Sequence, residues 1–538
     1  MHRSALREIF FALLVAGYIY YGIQFIQKTA ITVDGQTYYV LFDDAMISMR
    51  YAYHLAHGMG MVWNPGEYVE GFTNPLWVGY MALFHLFPLS ASQVSLSIQL
   101  SGLVFLTLTL VFVRKIVEDF TGDLFVMLAA VALTAFYAPM NLWGLLGMEV
   151  SLLTLILTAA VWMALRNPSR FTPWVYILLA ISTLVRTDMA VPYLIVFGIL
   201  LLAQPQYRRA HLAWGMGLFV LFLGGQTLAR YLYYGDILPN TYYLKVEGWP
   251  FPLRIMRGMY AFIWFAYYSN WAFMLLPLSL LLFRRDWKVL LLFMVFLGQG
   301  AYSVFVGGDA WETHGGANRY IAIAMPLFFI LFAWALQELF ARAATSLGAG
   351  WPALIVSRLA YVFIFAIAIL NFNLLLGDWR SIERWQFDRR LDYIAGNERN
   401  LLAALALQEA TKPGTSIAVV GAGTIPYLLP EHYAIDIMGK TDPVVARGPI
   451  RQSIGIPDVA FLRPGNENRM RPGHMKWNYA HTLGELKPDV IVSLWDETLQ
   501  EAEPYLHEYV LVTIADKATL FVREDSPNIL WDKVVIKQ

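Results

Sequence analysis

Phe42-Asp43-Asp44-Ala45-Met46-Ile47-Ser48-Met49-Arg50-Tyr51 sets two adjacent carboxylates at the head of a helix-like pattern. Upstream lies an apolar run, residues 9–26, preceded by His2, Arg3 and Arg7. Charges this close behind an apolar run mark the point where a chain leaves a bilayer and enters a polar loop. That loop is expected over about 27–92. It continues through Gly60-Met61-Val62-Trp63-Asn64-Pro65-Gly66-Glu67 and Val69-Glu70-Gly71-Phe72-Thr73-Asn74. Ala45, Ile47, Met49, Ala52 and Leu55 recur along the segment, so the helix is expected to be amphipathic and to lie on the bilayer surface. Read by themselves, Asp43 and Asp44 fit a helix N-cap with dipole complement as well as a catalytic pair. Residues 75–88 are apolar but too few for a span, which predicts an interfacial or re-entrant helix.

Outward from this loop the composition agrees with a membrane protein. Of 538 residues, 58% are hydrophobic and 14% charged, where a soluble chain would carry roughly a quarter charged residues. Lys and Arg balance Asp and Glu at 39 each, so no basic excess points to nucleic acid. The absence of cysteine excludes disulfides and thiolate metal sites. After 9–26, further spans are expected near 93–113, 124–139, 149–165, 172–187, 189–204, 212–232, 268–283, 288–306, 320–340 and 354–376, about eleven in all. Every second connection is basic: Arg114 and Lys115, Arg166 and Arg170, Arg208 and Arg209, Arg284 with Arg285 and Lys288, then Arg342. With Arg3 and Arg7 these define one cytoplasmic side, an internal N-terminus and an external C-terminus.

Beyond residue 376 hydropathy falls and short β-like runs begin, such as Ser416-Ile417-Ala418-Val419-Val420 and Asp489-Val490-Ile491-Val492. Residues 1–376 are therefore read as a membrane domain and 377–538 as an extracytoplasmic mixed α/β domain. Gly421-Ala422-Gly423 after a strand touches the dinucleotide fingerprint, but that fingerprint is incomplete and a tight turn is the simpler reading.

The outer loops hold the polar side chains: Asp43, Asp44, Glu149, Arg186, Asp188, Tyr234, Asp236, Lys245, Asp309, His314 and Arg319. Each has a plainer reading. Arg186 with Asp188 suits a structural ion pair, Glu149 a helix-dipole partner, and Lys245 and Arg319 headgroup anchors. A site on this face would have no nucleotide donor, so an activated group would have to arrive through the membrane.

At the first loop the sequence resembles the terminal arabinofuranosyltransferase family of mycobacterial-type cell walls, within the GT-C class of polyprenyl-phosphate-dependent glycosyltransferases. The likeness rests on the two first-loop stretches above, Gly147-Met148-Glu149, Leu184-Val185-Arg186-Thr187-Asp188 and Tyr233-Tyr234-Gly235-Asp236-Ile237-Leu238-Pro239-Asn240. Gly307-Gly308-Asp309, Arg319-Tyr320, Asp436, Thr441-Asp442-Pro443 and Pro472-Gly473-His474 extend it into the tail. Ala310-Trp311-Glu312-Thr313-His314-Gly315-Gly316 departs from the family pattern. The resemblance implies a helical polytopic GT-C fold in a bacterial inner membrane, with a catalytic carboxylate at Asp43 or Asp44. It also implies a polyprenyl-monophosphate sugar donor, with D-arabinofuranose ahead of mannose or another hexose, and a glycan or protein acceptor.

Sugar transfer from such a donor builds positive charge at the anomeric carbon and negative charge on the leaving phosphate. Asp44 with Asp43 is expected to serve the first. Arg186, Lys245, Arg319 and His314 are expected to serve the second. Glu149, Asp188, Tyr234, Asp236, Asp309 and His474 are expected to orient these groups or bind sugar and acceptor. No cofactor is required; a divalent metal shared by Asp43 and Asp44 is compatible with the chemistry. Two other classes fit a polytopic chain, a transporter and an envelope scaffold. The first lacks an inverted-repeat signal. The second predicts that the outer-face charges are dispensable.

Overall fold

The computed structural model describes residues 2–312, 318–346, 348, 350–451, 471–495 and 498–537. Helix α1 (His2–Thr29) stops where the Thr29 hydroxyl donates to the Ile26 carbonyl at 2.7 Å. Strands β1 (Ile31–Val33) and β2 (Gln36–Tyr38) follow as a hairpin turned by Asp34-Gly35, both at positive φ. Next come α2 (Asp43–Ala56), the short α3 (Pro75–His85) and α4 (Ala91–Phe120). A capping box starts α4: Gln93 N–H donates to the Ser90 hydroxyl, and Ser90 N–H to the Gln93 side chain.

Helices α5 (Leu124–Ala135) and α6 (Ala138–Leu145) are separated by a 48° bend, with Pro139 near the start of α6. Then follow α7 (Val150–Arg166), α8 (Trp174–Val185), α9 (Ala190–Ala203) and the continuous α10 (Pro205–Tyr234), which contains two π-helical turns. After α11 (Asn240–Lys245), α12 (Phe251–Tyr268) and α13 (Trp271–Phe283) meet at 101°. Helices α14 (Trp287–Phe305), α15 (Arg319–Ala322), α16 (Met325–Ser346) and α17 (Trp351–Asn373) complete this part.

Each expected span falls on helix, but they are not eleven equal rods. Among the described residues six helices are long and apolar enough to cross a membrane, or up to eight if each bent pair is one span. The stretches around α7, α8 and α9 are apolar but only 12–17 residues long. The stretch expected as a single span at 268–283 is the short limb of the α12–α13 elbow, and α12 lies between the expected spans.

The tail opens with α18 (Arg380–Trp385) and α19 (Ile394–Ala410). It then builds a six-stranded sheet from β3 (Ser416–Val419), β4 (Tyr433–Asp436), β5 (Val490–Ile491), β6 (Tyr509–Ile514), β7 (Ala518–Arg523) and β8 (Val534–Ile536). Their order is β4-β3-β5-β7-β6-β8; β3 is parallel to β4 and β5, and the other pairings are antiparallel. Two short helices, α20 (Thr424–Leu428) and α21 (Pro443–Ala446), lie between strands. One hydrophobic core runs without a break from Met46 and Trp143 in the helical part to Ala404, Val419 and Val522 in the tail.

This burial corrects the reading of the first loop. Helix α2 does not rest on a bilayer with one face. Ala45 through Ala52 are all buried, including Ser48 and Arg50, because α3 packs on one side and α20 on another. Arg50 is the reason the fit holds. Its guanidinium donates to the carbonyls of Trp63 (2.6 Å), Leu429 (3.2 Å), His432 (2.8 Å) and Pro426, and to Asn64 Oδ1 (3.1 Å). Several backbone acceptors of loop and tail are thus satisfied by one side chain, where each would otherwise be a buried unmet acceptor. At the opposite end of the helices, Arg114 meets Glu8 and Glu118, and Arg358 meets Asp123 at 2.6 Å.

Candidate active site

Asp43 and Asp44 do not cap their own helix. The N-cap of α2 is Phe42, and the two carboxylates occupy the first turn, pointing to different partners. Asp43 accepts N–H donations from Thr424 (2.9 Å) and Gly423 (3.3 Å), so it caps α20 of the tail. The tail presses so closely here that a Cβ on Gly423 would sit 1.9 Å from the Asp43 carbonyl oxygen. The Gly421-Ala422-Gly423 segment is therefore glycine-rich for contact with Asp43. Burial raises the Asp43 carboxyl above its ordinary range, against the pull of Lys440 and the Thr424 N–H.

Asp44 faces a cavity. Lys440 Nζ donates to its Oδ1 at 2.7 Å, and Arg319 Nη1 to its Oδ2 at 3.2 Å. The Trp311 indole N–H points at Oδ2 from 3.4 Å. Burial works to raise this carboxyl, but the charges of Lys440, Arg319 and Lys245 outweigh it and hold it well below the usual carboxylate range. Each cation is positioned by the fold. Asp309 accepts the Arg319 backbone N–H at 3.0 Å and faces its Nε at 3.1 Å. The two left-handed glycines before Asp309 make that turn, and a Cβ on Gly308 would meet Arg257 at 2.2 Å. Lys440 stands on a loop gathered by buried Asp436, which accepts from the N–H groups of Met438 (3.0 Å), Gly439 (3.1 Å) and Thr441 (2.8 Å). Asn240 fastens the same loop by donating to the carbonyls of Gly439 and Lys440.

The cavity measures about 790 Å³ and joins these groups with Glu149, Arg186, Asp188 and Lys245. Apolar side chains of α9 and α14, among them Val191, Ile195 and Phe305, form another part of its wall. Arg186 is engaged on two sides, by Asp188 at 2.5 and 2.8 Å and by Glu149 at 3.2 Å. Glu149 accepts from Asn74 at 3.0 Å, and Asn74 from Ser48 at 3.0 Å, which ties this pair back to α2. Lys245 has no hydrogen-bond or ion-pair partner among the described residues. Burial and the neighbouring Arg319 charge pull its ammonium down to about 8.

The other expected site residues lie elsewhere. The Tyr234 hydroxyl donates to the Met61 carbonyl at 2.7 Å, and Asp236 pairs with Arg447 of the tail and accepts from Tyr243. Both sit in the seam between loops and tail rather than in the cavity wall. His474 is buried between Trp311 (5.4 Å) and Trp495 (5.6 Å), and burial pulls its imidazole down to about 3, so it is neutral near pH 7. His314 lies outside the described residues. Lys440 was not foreseen. Its signal was present as a strand ending in Asp436 followed by Gly439-Lys440, but nothing local says that this loop reaches Asp44.

A bridging metal does not suit the pair as folded. The Asp43 oxygens accept backbone N–H groups, and both Asp44 oxygens face cations. Among the described residues no group of three or more His, Asp or Glu side chains converges in a metal-binding arrangement.

With this geometry in view, solved structures give the comparison. ArnT from Cupriavidus metallidurans bound to undecaprenyl phosphate superposes with a TM-score of 0.57 at 13% identity, covering 96% of this chain and 98% of that one. Its apo form gives 0.53 at 13% identity, covering 95% and 97%. The fold is of the GT-C type. The archaeal oligosaccharyltransferase AglB from Archaeoglobus fulgidus, in complex with an inhibitory peptide and a dolichol-phosphate, gives 0.50 at 10% identity, covering 98% and 76%. A family model described as a domain of unknown function, DUF8728, matches residues 386–528. No curated protein matches by sequence.

Proposed function

We propose that this chain is a membrane glycosyltransferase that takes a sugar from a polyprenyl-monophosphate donor, with Asp44 at the reacting centre. The observation that carries this reading is Asp44 held between Lys440 and Arg319 in a cavity that also has apolar walls. The ArnT neighbour was solved with undecaprenyl phosphate, a ligand with the same division into anion and apolar chain.

The cations beside Asp44 are those a leaving phosphate needs. Lys245 is uncommitted, while Lys440 and Arg319 are shared with Asp44 alone or with Asp309. A phosphate entering among them competes with Asp44 for their charge. As they turn to phosphate, the Asp44 carboxyl rises from its depressed state and becomes a better proton acceptor. The acceptor hydroxyl then attacks the anomeric carbon, the C–O bond to phosphate breaks, polyprenyl phosphate leaves, and Asp44 receives the hydroxyl proton. Arg186, locked by Asp188 and Glu149, shapes the cavity wall and contributes field rather than a free donor.

Residues 1–376 form the membrane catalytic part in this reading and 377–538 the outer domain. The active face is extracytoplasmic, the N-terminus is cytoplasmic, and the setting is a bacterial inner membrane, as the basic end opposite the cavity supports. D-Arabinofuranose as donor sugar rests on the sequence resemblance; mannose or another hexose is the alternative. The test is transfer by purified protein from synthetic polyprenyl-phosphate arabinofuranose, and in parallel from the mannose donor, to a panel of glycoside and peptide acceptors. Transfer that vanishes in Asp44→Asn supports the reading, and the donor that reacts names the sugar. Binding of neither lipid by the wild type would overturn it.

A further inference from the structure

A second cavity, of about 290 Å³, lies behind the turn that carries Trp311. Tyr260, Trp264 and Tyr268 of α12 supply aromatic surface, and Arg257, Glu312 and Asn318 supply a polar side. The turn is a wall shared by both cavities. Gly308 and Ala310 line the Asp44 cavity, whereas Glu312 lines the second, and Trp311 between them directs its N–H at Asp44.

The polar groups are built in. Glu312 accepts from Arg257 Nη1 at 2.6 Å and from Asn318 Nδ2 at 2.7 Å. Arg257 is 3% exposed, and its Nη1 also holds the Gly307 carbonyl at 2.9 Å. Its Nε and Nη2 have no hydrogen-bond partner among the described residues. A guanidinium with unused donors beside an aromatic wall can hydrogen-bond a polar ligand in the cavity.

Aromatic faces next to a carboxylate, an amide and a guanidinium match the chemistry of a sugar ring. Its C–H faces stack on the rings, and its hydroxyls both donate to the carboxylate and accept from the guanidinium. A free phosphate would meet the Glu312 charge, and a bare lipid chain would bury the ion pair without partners. The volume lies just below the usual range of ligand pockets, about 300–1,000 Å³, and suits a single ring.

We propose that this cavity is a subsite for the acceptor glycan, holding one of its sugar rings on the far side of the Trp311 turn from Asp44. The proposal rests on the glycosyltransferase reading. The same ring chemistry is offered by a soluble glycan and by a glycolipid headgroup, so both are tested.

The experiment is equilibrium binding by saturation-transfer NMR to the full chain in nanodiscs. The probes are methyl and octyl α-D-arabinofuranoside and the corresponding α-D-mannopyranosides, with decaprenyl phosphate measured separately. Saturable glycoside binding is expected, weakened about tenfold by Trp264→Leu through the lost stacking contact. Tyr260→Phe and Glu312→Gln should weaken it too, and decaprenyl phosphate binding should be unchanged in all three. Methyl and octyl forms binding alike points to a soluble glycan; a strong octyl preference that octanol does not displace points to a glycolipid headgroup. Absence of saturable glycoside binding, binding indifferent to Trp264→Leu and Tyr260→Phe, or full displacement by octanol would each overturn the subsite. Glycoside binding without any decaprenyl phosphate binding would instead sink the donor reading and leave the sugar site standing.

Discussion

Asp44 and Asp43 are chain neighbours with opposite surroundings. One carboxylate carries Lys440 at 2.7 Å and Arg319 at 3.2 Å; the other accepts backbone N–H groups from the tail. Their asparagine variants should therefore separate. Asp44→Asn keeps the shape but removes the charge that Lys440 and Arg319 pair with; it should lower transfer by about 100-fold or more in the folded fraction and also lower the melting temperature. Asp43→Asn places an amide donor against one of the N–H groups of Gly423 and Thr424. It should cost about 1–3 kcal/mol of stability, seen as a lower melting temperature, with transfer largely retained by the folded fraction. Equal loss of activity in both would mean that Asp43 also enters the chemistry. Lys245 offers a pH test. With its ammonium pulled down to about 8, it is cationic below that pH and neutral above it. Affinity for polyprenyl phosphate, followed by titration at rising pH, should fall through about pH 8, and Lys245→Arg should remove that alkaline loss.

At the scale of elements, α2 joins the loop to the tail. The sequence pattern placed a helix there correctly, with Asp43 and Asp44 in its first turn. It also suggested a bilayer-facing stripe, which fails because Arg50 and Ser48 on the supposed polar side are buried under the tail and the α3 contact. Periodicity reports which residues are apolar; it does not report that a distant polar surface will cover the rest. Arg50→Leu removes the donor for several carbonyls at once. It should destabilise the loop–tail contact by about 3–5 kcal/mol, measurable as protease sensitivity of the tail while the helices stay intact. Gly423→Ala tests the same contact from the other side. Its new methyl meets the Asp43 carbonyl at 1.9 Å and must push α20 off α2, whereas the nearest atom to a Gly421 methyl is 3.3 Å away. Gly423→Ala should thus impair both tail protection and transfer, and Gly421→Ala should do so less.

For the whole molecule, the tail is part of the cavity. Lys440 comes from a loop nearly 400 residues after Asp44, fixed by Asp436 within the tail and by Asn240 from the membrane part. Lys440→Gln should weaken polyprenyl phosphate binding by about 10–100-fold, the worth of one charge-assisted hydrogen bond. The tail should remain docked, since Arg50 and Asp43 hold it independently.

The sequence by itself determined the helical membrane character, the run of apolar segments, the basic end opposite the polar loops, and the stretch that bears Asp43 and Asp44. These depend on local hydropathy and on residue type, which any reader of the chain can follow. Tertiary structure alone decided that Asp43 clasps the tail while Asp44 faces the cavity, that Lys440 joins Arg319 there, and that Tyr234 and Asp236 belong to a seam. It also showed the α12–α13 elbow, where Asn270 takes a positive φ and caps α13. Side chains far apart in the chain meet only when the helices and the sheet share one core, and the partner of a charge is set by that meeting.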